Sequence, residues 1–444
     1  SNIKWGKNGT GTEETAVDQT TLAALAAVNS KSDTEKLTVI QTYVNFGSAA
    51  IGTVSGSNPL TVPTGYYLIK DNGPVNDGEA YSLYVVQVVG PTTISPKVGT
   101  TTSDKKVKDT NDSAANSTTD WQDSADYDIG DAVPFKLSAT IAQDYANYTH
   151  GYKLTFHDKE DTGLSFNASS VKVYVDGTEI TSGFTVVTEN LGDDCTFEVR
   201  FANLKEITSV HAGSVISVEY TSTLNNQAVI GSAGNKNTSH VTYTNNPNDE
   251  QAGENGETPD DVVIVFTYQT IVNKVTKNPA YDASKDTGKT GSDSDGNKEF
   301  IPLKGAGFTL YKKNASGAYV AVGSELKGED MTTFTWSGLD DGDYKLVETT
   351  TPAGYNTIAD IEFTITATHD VSSDNPTLIS LSGGDKFTGV ISTGVVSANI
   401  ENQSGAQLPS TGGIGTTIFY VLGSVLVLGA AVLLVTKKRM STKG

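Results

Sequence analysis

The chain is 444 residues long, enough for three ordinary domains, with 31 basic and 52 acidic side chains and a formal net charge of −21. The part after Thr411 holds Lys437, Lys438, Arg439 and Lys443 and no acid, which leaves residues 1–411 at about −25. Such a surface repels nucleic acid and anionic lipid, and a single cysteine, Cys195, excludes an intramolecular disulfide.

Residues 1–97 read as a mixed first unit. "TTLAALAAVNS" and "DTEKLTVIQTYV" have helical spacing, whereas "LTVPTGYYLIKD" and "EAYSLYVVQVVG" alternate as strands do. Ser1 reads as the start of a processed or trimmed chain. A second unit, 98–247, opens at "KKVKD" and closes with "HVTYTNNPN". Between them lie the strand signals "AVPFKLSATI", "GYKLTFHD", "SVKVYVDGTEI", "CTFEVRF" and "SVISVEYTSTL". A polar, Pro- and Gly-containing linker is predicted at 248–260. The third unit, 261–403, runs from "VVIVFTYQTIVNKV" to "VSANIENQ". Abundant Gly, Thr, Ser, Asn and Asp among short alternating runs predicts a mainly β chain of tandem immunoglobulin-like sandwiches.

The C-terminus has three parts in a fixed order. "LPSTG" occupies 408–412, an uncharged apolar run fills 414–435, and a basic tail, 436–444, contains Lys-Lys-Arg. Twenty-two uncharged residues suffice for a helix to cross a bilayer core of roughly 30 Å. The basic cluster places the tail in the cytoplasm and the bulk of the chain outside.

Signals for turnover chemistry are sparse. His150, His157, His211, His240 and His369 show no HExxH spacing, a lone cysteine cannot build a thiolate zinc site, and no serine stands in a G-x-S-x-G elbow. "GKT" at 288–290 has Ala283 where a phosphate loop needs its first glycine. "DSDGNKE" at 293–299 holds part of a calcium-loop pattern without the full ligand order. No cofactor, no metal and no multi-turnover enzyme are expected.

Leu408-Pro409-Ser410-Thr411-Gly412, followed by an apolar span and a basic tail, resembles the cell-wall sorting signal of Gram-positive surface proteins. The resemblance implies that a membrane transpeptidase, sortase, cleaves Thr411–Gly412 and passes the Thr411 acyl group to an amine. The apolar helix would hold the peptide at the membrane face, where the enzyme meets it at high effective concentration. Pro409 favours an extended, bindable backbone.

In pilus shaft subunits that amine is a lysine in a motif similar to V-x-V-Y-P-K at the end of the first domain. "TTISPKV" stands there, with Pro96-Lys97 in place and Ser95 where tyrosine is usual. The whole chain thereby resembles the major (backbone) pilins of sortase-assembled pili. The implied function is a covalent surface polymer joined from Thr411 to Lys97 and supporting adhesion. The implied partners are identical subunits, sortase, tip and basal pilins, and peptidoglycan. The other reading is a wall-anchored adhesin or basal pilin that uses LPSTG but is not polymerised through Lys97.

The third unit resembles Cna B-type (SpaA-like) modules through Lys274 in "VNKVT", Glu348 in "YKLVETTTPAGY" and the closing "ANIENQ". In that family a lysine attacks an asparagine side chain, ammonia leaves, and an internal isopeptide bond remains. The attack needs a neutral amine and a protonated acid, both of which burial favours. Strand parity sets Thr270, Val272 and Lys274 on one face and favours Asn402 over Asn399.

The second unit resembles the fimbrial isopeptide-forming D2 domain. "KKV" offers Lys105 or Lys106, and Lys105 shares the face of Val107. In "YDIGDAVPFKL" Asp131 rather than Asp128 shares the face of Val133, Phe135 and Leu137, so Asp131 is the expected acid. In "GNKNTSHVTY" Asn237 shares the face of Val241 and Tyr243, and Asn245 stands at the wrong end of the strand. No internal bond is expected in the first unit.

Overall fold

The structure, a computed structural model, describes residues 3–28, 31, 33–45, 47–55, 58–71, 80–94, 99–247, 255–286, 288, 291–405, 424, 426–430 and 432. Two helices, Gln19–Val28 and Asp33–Gln41, precede an antiparallel hairpin of Gly65–Lys70 and Leu83–Val88. Asp18 starts the first helix as its N-cap. Its carboxylate accepts the Thr21 backbone N–H at 2.9 Å and the Thr21 hydroxyl at 2.7 Å, which occupies a donor the first turn leaves unpaired.

The second domain is a two-sheet sandwich. One sheet runs Thr102–Val107, Ala132–Thr140, Val215–Leu224, Lys172–Val175, Thr178–Ile180, with Leu164–Phe166 also on the Val215–Leu224 strand. The facing sheet runs Thr185–Val187, Phe197–Phe201, Leu154–Glu160, Asn235–Thr244, Asp261–Phe266, Ser124–Asp126, with Asn255–Glu257 alongside Asn235–Thr244. The period of two decides which side chains enter. Val133, Phe135, Leu137 and Ala139 are buried, and the residues between them face outward or lie half-buried. Phe156, Phe197, Phe201, Val218 and Tyr220 fill the core from the neighbouring strands. The tight Lys172–Ile180 hairpin turns on Asp176 and Gly177 at φ 49° and 79°, positive at both corners as a two-residue turn requires.

In the third domain one sheet is ordered Phe300–Pro302, Tyr268–Lys277, Val395–Glu401, Thr388–Val390, with Thr333–Leu339 also pairing the Tyr268–Lys277 strand. The other is ordered Tyr319–Ala321, Gly307–Lys313, Gly342–Thr350, Ile361–His369, Leu378–Ser382. Tyr268–Lys277 and Val395–Glu401 run parallel, with Lys274 opposite Ile400. Phe308, Phe334, Tyr344, Leu346 and Ile365 form the core between the sheets.

The boundary between these domains departs from the sequence reading. The sequence pattern predicts that "VVIVF" opens the third unit after a linker. Instead Asp261–Phe266 completes the second domain's sheet, antiparallel to Asn235–Thr244 and parallel to Ser124–Asp126. Asn255–Glu257, inside the predicted linker, is also a strand of that sheet. The run is apolar on both faces because it serves two cores. Val263 and Val265 pack in the second domain, while Ile264 and Phe266 pack in the third.

Candidate covalent-bond sites

In the third domain the parallel pairing carries Asn402, one residue past its strand, back beside Lys274. The Asn402 N–H donates to the Val275 carbonyl at 3.0 Å. Lys274 Nζ donates to Asn402 Oδ1, and Glu348 Oε1, reaching over from the opposite sheet, lies 3.1 Å from the same Nζ. Asn402 Nδ2 donates to Glu348 Oε1 at 2.9 Å and Oε2 at 3.2 Å. The Ile358 N–H, donating to Oε2 at 3.0 Å, fixes the carboxyl. All three residues are buried, and the Phe308 ring lies 5.1 Å from the amine. Burial pushes the Lys274 amine down from its ordinary pKa against the opposing charge of Glu348. The structure thus brings together the three residues selected from the sequence. Asn399 instead accepts from Asn273 Nδ2, among exposed side chains.

The second domain gathers its set differently. Lys105 lies on one sheet, whereas Asn237 and two acids lie on the other. Lys105 is completely buried, and its Nζ donates to Asp158 Oδ2 and, at 3.2 Å, to Tyr220 Oη. Tyr220 in turn donates to Asp158 Oδ2 at 2.7 Å and accepts from Asn237 Nδ2 at 2.9 Å. Asn237 Nδ2 also approaches Glu160 Oε1 at 3.4 Å. Burial pushes Lys105 down and Asp158 up, each against the charge of the other. It also pushes Glu160 up to about 8, helped by the charge of Asp158. Lys106, the other candidate amine, turns outward to Asp104 at 2.7 Å and Asp123 at 2.6 Å.

Asp131 is not beside Lys105, and this corrects the sequence reading. It precedes its strand, in a turn where its carboxylate accepts the Asp128 N–H at 3.2 Å. Asp131 has the parity of Val133, but the turn that precedes the strand bends its carboxylate back onto Asp128, so parity leads here to an acid outside the lysine's cluster. The signal for Asp158 was its place on the buried face of Leu154 and Phe156.

The other candidate residues fall elsewhere. Lys97, Leu408, Pro409, Ser410, Thr411 and Gly412 lie outside the described residues, as does most of 414–435. Among the described residues no helix is long and apolar enough to cross a membrane. The Asp293 carboxylate of "DSDGNKE" is taken up by its own loop. It accepts the N–H groups of Asp295, Asn297 and Asp282 and the side-chain amide of Asn297, at 2.8–3.1 Å.

Comparison with known proteins adds independent findings. Residues 287–377 match the SpaA model, a prealbumin-like fold domain, and residues 400–441 match the LPXTG cell wall anchor motif. The trypsin-resistant surface T6 protein of Streptococcus pyogenes serotype M6 is 26% identical over 375 residues, 70% of this chain and 65% of that protein. The match therefore spans slightly less than two thirds of that relative. Among solved structures, the T6 backbone pilin of the same serotype aligns at TM-score 0.47 and 18% identity, over 74% of this chain and 78% of that one. BcpA, the major pilin subunit of Bacillus cereus, aligns at 0.42 and 17%, over 78% and 86%. SpaD, the major pilin of Corynebacterium diphtheriae, aligns at 0.41 and 18%, over 78% and 77%. The chain thus carries a SpaA-type domain and an LPXTG cell wall anchor motif, the mark of a cell-wall-anchored surface protein, and over 70% of its length it is similar to a trypsin-resistant surface protein.

Proposed function

We propose that this chain is the shaft subunit of a covalent pilus, a structural polymer protein and a sortase substrate rather than an enzyme. Sortase cleaves Thr411–Gly412 and transfers the Thr411 acyl group to Lys97 Nζ of the next subunit; the last subunit goes to peptidoglycan. Within each subunit Lys274 Nζ attacks Asn402 Cγ, and Lys105 Nζ attacks Asn237 Cγ. In each case a C–N bond forms, the Asn Nδ2 leaves as ammonia, and an acid relays the amine proton to it. Glu348 does this in the third domain. Asp158 takes the role in the second, with Glu160 contacting the departing amide. Each acid acts once, in its own domain.

The observation that carries this reading is the buried Lys274–Glu348–Asn402 contact set. An amine, an amide and an acid in mutual contact away from water are arranged for one reaction and reduced to a near-attack distance. Each bond ties distant parts of a domain, so tension entering at Lys97 and leaving at Thr411 runs through covalent links rather than unzipping the sheets.

The test is a denaturing immunoblot of wall extracts from cells expressing the chain, beside Lys97→Arg. A high-mass ladder that collapses to monomer in the variant is expected. A single band in both samples would establish the wall-anchored monomer instead, and a ladder in both would move the acceptor to another lysine.

A further inference from the structure

The seam between the second and third domains is rich in aspartates. Two cations, Lys312 and His369, are shared among five of them. Lys312 contacts Asp128 at 2.5 Å and Asp112 and Asp340 at 3.4 Å, and His369 lies between Asp109 and Asp126 at 3.7 and 3.9 Å. A smaller group remains under-compensated. Asp126, Asp340 and Asp341 each bring a carboxylate oxygen within 4.8 Å of the other two. Asp126 and Asp340 are 2% and 0% exposed, yet Asp126 Oδ2 and Asp340 Oδ1 have no hydrogen-bond partner. The hydroxyl of Tyr268, a fully buried side chain, stands beside Asp126 and in the field of Asp340 and Asp341.

Bare carboxylate oxygens removed from water are costly unless a proton or a cation meets them. Three convergent carboxylates make a hard, all-oxygen donor set of the kind that selects calcium or magnesium. Their other contacts hold them in place. Asp340 Oδ2 turns to Lys312 at 3.4 Å, Asp126 Oδ1 turns to His369, and Asn111 Nδ2 donates to Asp341 Oδ1 at 2.6 Å. Asp126 Oδ2 and Asp340 Oδ1 remain without a hydrogen-bond partner. The donors come from an edge strand of one domain and a tight turn of the next, an irregular frame that suits calcium's tolerant coordination better than magnesium's strict octahedron.

We propose that Asp126, Asp340 and Asp341 together bind one calcium ion at the seam. Asp126 belongs to the second domain, and Asp340 and Asp341 belong to the third, so the ion bridges them and stiffens the joint. The inference does not depend on the covalent chemistry proposed above.

The experiment uses the full-length chain in detergent micelles, stripped with EGTA and titrated with calcium chloride. About one ion per chain is expected, in the 10⁻⁴–10⁻³ M affinity range of extracellular calcium sites. At 5 mM calcium the Tm should rise by roughly 3–8 °C. Asp126→Asn/Asp340→Asn should lose both responses while being more stable than the parent in EGTA, because its buried charges are gone. Asp341→Asn, at a less buried position, should weaken binding at least about tenfold and provides the reading if the double variant does not fold. Three results would overturn the proposal: no calcium bound by the parent chain, binding unchanged in Asp341→Asn, or an equal response to magnesium. The first, with a Tm that climbs as pH falls, would assign protons to these oxygens instead.

Discussion

The two sandwiches solve the same problem with opposite geometry. In the third domain the lysine and asparagine come from parallel neighbours in one sheet, and the acid reaches over from the other. In the second domain the lysine stands alone on its sheet, facing an asparagine and two acids on adjacent strands of the other. A bond in the third domain would staple two strands edge to edge. One in the second would pin the two layers of the sandwich together. The same amino acids can thus be placed by strand pairing or by sheet packing, and only the first leaves a strong trace in strand order.

The sharpest break in this comparison is removal of one bond. Glu348→Ala should raise the intact mass by one ammonia (less the change in side chain). It should also lower the third domain's Tm by roughly 10–20 °C, since a tie spanning 128 residues contributes about 5 kcal/mol in the loop-entropy account. Differential scanning calorimetry with intact mass spectrometry reads both. A normal Tm with ammonia still lost would remove Glu348 from the chemistry.

The second domain separates two acids. Asp158→Ala should block its bond, whereas Asp131→Ala should leave ammonia loss unchanged. Tandem mass spectrometry of the peptides carrying Lys105 and Asn237 distinguishes them, and a cross-linked peptide surviving in Asp158→Ala would contradict the assignment.

A smaller effect follows from Glu160, whose folded pKa of about 8 lies above its ordinary 4.5. A raised acid holds a proton in the folded state that the unfolded chain gives up. Its contribution therefore falls as pH rises from about 4.5 through about 8. The groups facing it are Asp158, Lys105, Ser222 and Asn237. Glu160→Gln should flatten this part of the Tm-versus-pH curve by a few degrees, and an unchanged slope would show that another group titrates there.

The smallest effect belongs to Lys106. Lys106→Gln loses partly exposed ion pairs to Asp104 and Asp123 and should cost no more than about 1 kcal/mol by urea unfolding. Ammonia loss should remain complete; its disappearance would make Lys106 the reactive amine.

Most of the third-domain site was legible because its residues obey strand alternation, from Thr270, Val272 and Lys274 to Ile400 and Asn402. Lys105 and Asn237 were legible for the same reason. Asp158 was not, although it lies in phase with Leu154 and Phe156. Asp131 is equally in phase with Val133, Phe135 and Leu137, so parity alone does not separate the two acids; Asp158 stands inside its strand, whereas Asp131 stands in the turn before one. The domain boundary was hidden by different physics. "VVIVF" does not alternate because both of its faces are buried, and an unbroken apolar run carries no mark of the sheet it joins. Contacts across the seam, such as Asn111 with Asp341, link residues 230 positions apart and leave no periodic signal at all.

The shared strand Asp261–Phe266 also sets an order of events. Asp261 Oδ2 accepts the Lys105 backbone N–H at 2.7 Å, and Ser103 Oγ donates to Thr258 Oγ1 at 2.7 Å, so this late segment closes over the strand that carries Lys105. A chain that leaves the cell N-terminus first presents Lys105 and Asn237 long before Phe266. The second sandwich therefore stays unfinished at its edge until the first residues of the third have been exported. A fragment cut at residue 247 would carry an open Asn235–Thr244 edge, ready to take up a strand from another molecule.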